Sequence, residues 1–242
     1  MFREIKNNTD AVITFMVQLF HEYRYILLTK HLRVEKSIRP YMRYREIGII
    51  EEILQKIKPR KCLEWGSGFS TLYFAKFMAE NPQWISIEHD KSWCGEIKKK
   101  IRHPNTEIFY VPANGSYHTA ACEDDAYTDF KDYIEYPGRF GNFDFILVDG
   151  RARKECLIKA HEIIYNNGVI VLHDSNRKYY HEPFSMYKYQ VLFTDYQKYN
   201  GVPEGGLWIG CNDAPLHNVL NIEKHKKIWS FYNRVGYTLL RV

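Results

Sequence analysis

The sequence lacks paired cysteines and long hydrophobic runs. Its five cysteines are scattered and form no Cys-x-x-Cys pair, so we expect neither a zinc site nor a disulfide framework. The apolar run at residues 11–20 is interrupted by His21, Glu22 and Arg24, which is too early for a membrane span. No small-residue cleavage site of a signal peptide follows. We therefore expect a cytoplasmic protein with no membrane partner.

A large excess of one charge is also lacking. The formal net charge is +5, from 34 Lys and Arg against 29 Asp and Glu, which permits an anionic partner but does not require one. The basic runs at 98–100 and 224–227 are typical of solvated helix faces, so we do not expect a nucleic-acid partner. No internal repeat is evident. A chain of 242 residues is long enough to form one domain with a substantial core.

One segment combines a short apolar run, a glycine-rich turn and a helical pattern. The run ends in Glu64, the turn contains Gly66 and Gly68, and Ser70 and Thr71 open the helix. Strand, glycine-rich turn and helix form the cofactor site of open α/β sheets, where glycines admit the ligand and the helix N-terminus offers free N–H groups. A dinucleotide fingerprint needs a third glycine where Thr71 stands. The acid before the turn would suit a cationic ligand group, and a purely structural turn is the alternative.

Later apolar runs also end in polar residues. The second run ends in Glu88, about 20 residues after Gly68, where an acid can accept hydrogen bonds from ribose hydroxyls. The following runs end at Asn114, Asp149 and His173. Apolar strands that alternate with helices predict a parallel sheet covered on both faces. Because ligands bind beyond the carboxyl ends of such strands, we expect these polar residues to face one cleft.

These features resemble the class I S-adenosylmethionine-dependent methyltransferases. The acid-x-Gly-x-Gly turn at Glu64 is similar to their motif I, and Glu88 is similar to the acid after their second strand. Strand patterns at 189–193 and 206–210 resemble the hairpin that completes their sheet. The resemblance implies an α/β fold: a Rossmann-like, doubly wound sheet of seven mostly parallel strands with an antiparallel last strand.

We expect a single domain over residues 1–242. Residues 1–58 are predicted to be a helical N-terminal extension, since apolar residues such as Met16 recur at helical spacing. This extension could pack on the sheet, cover the cleft or support a homodimer. The methyltransferase-like core is expected over 59–213, and a C-terminal helix over 214–242.

The resemblance implies S-adenosylmethionine as the cofactor. Glu64 would hold the methionine ammonium, Glu88 the ribose and Asn114 the adenine, although a simple Asn-Gly turn is an equal alternative for Asn114. The residues predicted to contact the cofactor are Glu64, Gly66, Ser67, Gly68, Ser70, Thr71, Glu88, His89, Asn114 and Asp149.

A hydroxyl acceptor would need a general base. We predict that Asp149, His173 and Asp174 are catalytic, with His173 favoured because histidine titrates near neutrality. Catechol-type O-methyltransferases instead hold a divalent cation with an Asp and an Asp-Asn pair at the ends of the fourth and fifth strands. The matching residues are Asp149, Asp174 and Ser175, so a site for Mg²⁺ or Mn²⁺ stays open although Ser175 replaces the amide.

Arg151 and Arg153 could pair with these aspartates or bind an acidic group of the substrate. Together with Trp93 and the His173-Asp174 pair, they resemble a poorly characterised, O-methyltransferase-like branch. The Asn/Asp-Pro-Pro-aromatic signature of amino methyltransferases is absent. We therefore predict methyl transfer to a hydroxyl oxygen of a small molecule or a sugar. The alternatives are an aminopropyltransferase and a non-catalytic scaffold on the same fold.

Overall fold

The computed structural model describes Met16 and residues 39–79, 82–115, 125–195, 198–199, 202–203 and 205–235. Apart from Met16, the predicted first helix of the N-terminal extension lies outside these residues. Within the described ranges, no helix is both long enough and apolar enough to cross a membrane.

One mixed sheet forms the centre of the molecule. Its strands are β1 (Lys61–Trp65), β2 (Gln83–Glu88), β3 (Thr106–Tyr110), β4 (Phe143–Val148), β5 (Ile164–His173), β6 (Tyr189–Phe193) and β9 (Leu207–Cys211). Between β6 and β9, the short strands β7 (Lys198–Tyr199) and β8 (Val202–Pro203) pair with each other. The order in the sheet is β3-β2-β1-β4-β5-β9-β6. The first five strands are parallel, and β9 runs antiparallel to both neighbours, which confirms the predicted fold class.

Helices cover both faces of this sheet. They are α1 (Tyr44–Ile57), α2 (Phe69–Phe74), α3 (Lys91–Lys100), α4 (Tyr127–Glu135), α5 (Arg153–Ile163) and α6 (Ile222–Val235). Side chains alternate along β1, because successive residues of a strand point to opposite faces. Leu63 packs in the cluster that contains α4 and α5, whereas Cys62 packs in the cluster that contains α1 and α6. Helices therefore pack against both faces of the sheet and fix the positions of the strand ends.

The helices at the two ends of the core refine the predicted boundaries. The helix α1 lies within the predicted N-terminal extension and ends at Ile57, one residue before its predicted boundary. The C-terminal helix begins at Ile222 rather than near residue 214, and a separate 3₁₀ turn, Leu216–Asn218, precedes it. Asn221 explains this start, since its side-chain oxygen accepts a hydrogen bond from the Lys224 N–H at 3.1 Å and caps the first turn.

Candidate functional site

A cavity of about 550 Å³ lies beyond the carboxyl ends of β1, β2 and β4. This is where ligands bind in open parallel sheets. Nine residues predicted from the sequence meet in its wall: Gly66, Ser67, Gly68, Ser70, Glu88, His89, Asp149, Arg151 and Arg153.

The loop after β1 depends on glycine at Gly66. Its φ is +94°, and a Cβ there would lie 2.6 Å from the Cα of Gly150 in the loop after β4. A side chain would therefore strain the backbone and separate the two loops. The close approach brings the ends of β1 and β4 together at one side of the cavity.

Glu88 connects the loop after β1 to the loop after β2. Its Oε2 accepts hydrogen bonds from the Ser67 N–H at 2.9 Å and the Ser67 hydroxyl at 3.0 Å. Its Oε1 accepts from the backbone N–H groups of His89 and Asp90 at 2.8 and 2.9 Å. The side chain is almost fully buried, so this carboxylate joins the loop after β1 to the loop after β2.

Arg153 dominates the other side of the site. Its guanidinium donates to the backbone oxygens of Gly150 at 2.9 Å and His173 at 2.6 Å. The same group lies 3.1 Å from Asp149 Oδ1 and 3.7 Å from Asp174 Oδ2. The arginine is buried at the start of α5, and it therefore links the ends of β4 and β5.

His173 lies beneath the cavity and does not line it. Its Nδ1 is 2.8 Å from Asp149 Oδ1, and its Nε2 is 3.3 Å from Glu46 Oε2 on α1. Burial lowers the pKa of His173, but the charges of Asp149, Asp174 and Glu46 outweigh it and raise that pKa well above its usual value. The result is a buried imidazolium with both nitrogens engaged. Both ring nitrogens thus face carboxylates of the protein rather than the cavity, and the role of His173 as a general base stays a prediction.

Asp174 also faces the protein interior. Its Oδ1 accepts a hydrogen bond from the Gly205 N–H at 2.9 Å, and its backbone φ is +55°. Asp149, His173 and Asp174 present ligand-type atoms within 4.8 Å of one another. The buried Oγ of Ser175, the third predicted metal ligand, has no hydrogen-bond partner among the described residues.

Arg151 lies in the cavity wall and pairs with Asp125 of the same chain. Its Nε and Nη2 donate to the two carboxylate oxygens of Asp125 at 2.7 and 2.5 Å. This bidentate pair fixes the guanidinium geometrically. Of the two roles considered from the sequence, pairing is therefore the one that the structure contains, although the partner is Asp125 rather than Asp149 or Asp174.

Comparison with known proteins identifies the architecture. Neither protein-family models nor curated proteins match the sequence. Solved structures match with high probability: a methyltransferase-like protein from Silicibacter pomeroyi has a TM-score of 0.51 at 20% identity, over 79% of this chain and 98% of that one. The O-methyltransferase from Bacillus cereus in complex with SAH has a TM-score of 0.52 at 12% identity, over 79% and 90%. The chain has the class I methyltransferase fold.

A spermidine synthase in complex with the transition state analogue AdoDATO shares this methyltransferase fold. Its TM-score is 0.51 at 12% identity, over 81% of this chain and 74% of that one. The fold alone therefore does not separate methyl transfer from aminopropyl transfer.

Glu64 lies under the glycine-rich turn of the methyltransferase fold and is absent from the cavity wall. Its carboxylate accepts hydrogen bonds from Ser70 Oγ at 2.5 Å, Thr71 Oγ1 at 2.5 Å, Ser86 Oγ at 2.7 Å and Trp84 Nε1 at 3.1 Å. Burial raises the pKa of Glu64 to about 7, although these four donors oppose the shift. Glu64 and the buried Thr71 therefore order the turn from below, and the predicted contact of Glu64 with a cofactor ammonium stays a prediction that the position of its carboxylate does not favour.

Asn114 is likewise outside the cavity wall. Its amide nitrogen donates to Asp132 Oδ2 at 2.8 Å, and its amide oxygen accepts from the Asp132 N–H at 2.9 Å. Both ends of the amide thus fasten the loop after β3 to α4. This arrangement favours the simple turn over the predicted adenine contact.

The cavity also contains residues that the sequence did not assign to it. Phe69 lies edge-on to Trp93, with ring centroids 6.0 Å apart, and to Tyr41, with centroids 5.4 Å apart. Trp93 is fixed by its indole N–H, which donates to the Ser67 carbonyl at 2.6 Å. Phe69 adjoins predicted residues in the chain and could have been included on that ground. Tyr41 precedes α1, and no sequence pattern links it to the site.

Proposed function

We propose that this chain is an S-adenosylmethionine-dependent methyltransferase that acts on a hydroxyl oxygen of a small molecule or a sugar. One observation carries the proposal: a single cavity joins the Gly66–Gly68 loop to the carboxylate of Glu88 at the ends of parallel strands. Its volume of about 550 Å³ is in the usual range for small-molecule sites.

Glu88 is proposed to hold the ribose. A carboxylate has about four acceptor directions, and Ser67, His89 and Asp90 now use them. Three of these donors are backbone N–H groups, whereas the Ser67 hydroxyl can rotate away. A ribose hydroxyl would therefore take the place of the Ser67 hydroxyl, while the backbone donors keep the carboxylate aligned.

The chain's own contribution to the reaction is positioning and proton removal. When bound, S-adenosylmethionine supplies a methyl group on a sulfonium, which is already activated for transfer. Asp149 is the predicted catalytic residue that lies in the cavity wall, and we assign it to accept the proton of the acceptor hydroxyl. The rings of Tyr41, Phe69 and Trp93 would pack against the bound molecules and fix the line of attack.

Calorimetric titration with S-adenosylmethionine and S-adenosylhomocysteine tests the cofactor assignment. We expect the wild-type chain to bind both, and Glu88→Gln to lose one or two charge-assisted hydrogen bonds of about 1.5–3 kcal/mol each. That loss corresponds to at least about a tenfold rise in Kd. The matched control is Glu107→Gln, since Glu107 is an exposed acid on β3. This variant should bind S-adenosylmethionine with the wild-type affinity. No binding by folded wild-type protein would favour the scaffold alternative.

Product mass separates the two transferase activities. Incubation with S-adenosylmethionine and a panel of sugars and small hydroxylated compounds should give products heavier by one methyl group. Parallel incubation of polyamine acceptors with decarboxylated S-adenosylmethionine should give no aminopropyl product. The opposite pattern would replace methyl transfer by aminopropyl transfer and leave the cofactor cavity unchanged.

A further inference from the structure

The acidic cluster at the ends of β4 and β5 has the composition of a cation site. Asp149 and Asp174 place carboxylate oxygens within 4.8 Å of a common partner, His173, and backbone carbonyls lie around them. Carboxylate and carbonyl oxygens are the ligands that Mg²⁺ and related hard cations prefer. The side chains around these oxygens determine which cation occupies the cluster.

The guanidinium of Arg153 already fills this oxygen set. It donates to three backbone carbonyls, those of Gly150 at 2.9 Å, His173 at 2.6 Å and Asp149 at 3.3 Å. It is also 3.1 Å from the Asp149 carboxylate and 3.7 Å from that of Asp174. A guanidinium carries five N–H donors in a fixed plane, and this set of oxygens surrounds that plane.

The local charges balance without a further cation. Asp174 Oδ2 lies 3.7 Å from Arg153 Nη1 and 3.7 Å from Arg177 Nη2. Together with the His173 imidazolium and Glu46, Asp149 and Asp174 therefore form a group of three negative and three positive charges with Arg153 and Arg177. A divalent ion placed among them would be repelled by both arginines at short range, in a buried region where such repulsion is weakly screened.

We propose that Arg153 is the resident cation of this cluster, in the place of a divalent metal, and that it positions the Asp149 carboxylate for the reaction. The Mg²⁺ or Mn²⁺ considered from the sequence does not fit these residues. The consequence for catalysis, that methyl transfer needs no added metal, rests on the proposed function. The assignment of Arg153 itself does not.

Titration with Mn²⁺, followed by the electron paramagnetic resonance signal of the free ion, tests the assignment on the full chain. The wild-type protein should leave the free signal undiminished. Arg153→Met keeps an unbranched apolar side chain but removes the guanidinium, which exposes both carboxylates, and each chain of this variant should bind one equivalent of Mn²⁺. Arg151→Met is the matched control because its guanidinium binds Asp125 instead, and it should take up none.

The wild-type titration decides the question even if Arg153→Met fails to fold. Stoichiometric Mn²⁺ uptake by the wild-type chain, abolished by Asp174→Asn, would overturn the proposal. In the activity assay, EDTA should leave the rate unchanged, and a loss restored by Mg²⁺ would also overturn it. Exclusion of Mn²⁺ without any S-adenosylmethionine binding would instead reject the proposed function and retain Arg153 as the resident cation.

Discussion

The carboxyl ends of the parallel strands fall into two halves, the first at β1 and β2 and the second at β4 and β5. The polar side chains of the two halves have different kinds of hydrogen-bond partner. After β1 and β2, Glu88 accepts hydrogen bonds from loop N–H groups and the Ser67 hydroxyl, and no Lys or Arg side chain among the described residues forms an ion pair with it. After β4 and β5, Asp149 and Asp174 are surrounded by basic side chains, chiefly Arg153. Both halves border the cavity, the second through Asp149, but His173 and Asp174 of the second half are buried and absent from the cavity wall.

This difference assigns separate tasks to the two halves. A carboxylate held by neutral donors can exchange one of them for a ligand hydroxyl at little cost. A carboxylate held in a buried network of charges cannot, because removal of one partner leaves an uncompensated charge. We therefore expect substitutions at His173 and Asp174 in the second half to change mainly stability, and substitutions in the first half to change mainly cofactor affinity; Asp149, which lines the cavity, is the exception in the second half.

The strongest test of this division is His173→Ala. The substitution leaves Glu46 and Asp149 facing each other without the imidazolium between them. Removing one partner of a buried ionic pair typically costs about 3–5 kcal/mol, so the free energy of unfolding should fall by about that amount. Urea denaturation followed by tryptophan fluorescence measures it.

His217→Ala provides the control for this loss, since His217 is exposed on the 3₁₀ turn before α6, and it should leave stability nearly unchanged. If His173→Ala unfolds at the wild-type urea concentration but loses turnover by about 10²–10⁴, the histidine acts as a base and the division between the halves fails.

The sequence predicts the fold and several residues of the cavity wall. Apolar runs and the residues at their ends are local patterns, so Gly66, Glu88 and Asp149 could be placed at the cavity from spacing alone. What a side chain meets across the molecule is not local. Glu46 lies 127 residues before His173 and engages it through α1, and no periodicity of either segment indicates that contact.

The same reason explains the difference between the ligand role that the sequence predicts for Glu64 and its buried position. The sequence places an acid beside a glycine-rich turn, but the four donors that surround it come from two different elements, α2 and β2. Only the packed structure shows that the side chain points beneath the turn and away from the cavity. The position of Glu64 at the end of a strand predicts that it lies near the cavity, but its burial keeps it out of the cavity wall.

Glu64→Gln tests that burial through the pH dependence of stability. In the unfolded chain the Glu64 carboxyl has a pKa near 4.5, whereas folding raises this pKa to about 7. The folded state therefore binds the proton more tightly, so this group stabilises the fold most below pH 4.5 and loses that effect as the pH rises to about 7. At about 1.4 kcal/mol per pKa unit, the loss is about 3 kcal/mol, and Glu64→Gln should abolish it.

The measurement is the difference in unfolding free energy between wild type and variant across this pH range. Glu96→Gln serves as the reference, because Glu96 is an exposed acid on α3 paired with Lys100, and its difference should stay flat. A flat difference for Glu64→Gln as well would mean that Glu64 is ionised at neutral pH, which would restore it as a candidate for binding a cation.

The smallest expected effect lies in the open half, at Trp93→Phe. Phenylalanine keeps an aromatic ring in the cavity wall but removes the indole N–H that donates to the Ser67 carbonyl. One hydrogen bond between neutral groups contributes about 0.5–1.5 kcal/mol. If that energy orders the Ser67 loop for binding, the Kd for S-adenosylmethionine should rise by no more than a few-fold to about tenfold. Trp229→Phe is the matched control: it also removes an indole hydrogen bond, to the Thr194 carbonyl, but on the helix α6, outside the cavity wall. Trp93→Phe could instead lose as much stability as His173→Ala and keep the wild-type affinity for the cofactor. That result would mean that both halves have a structural role and that cofactor binding does not depend on the loop after β1.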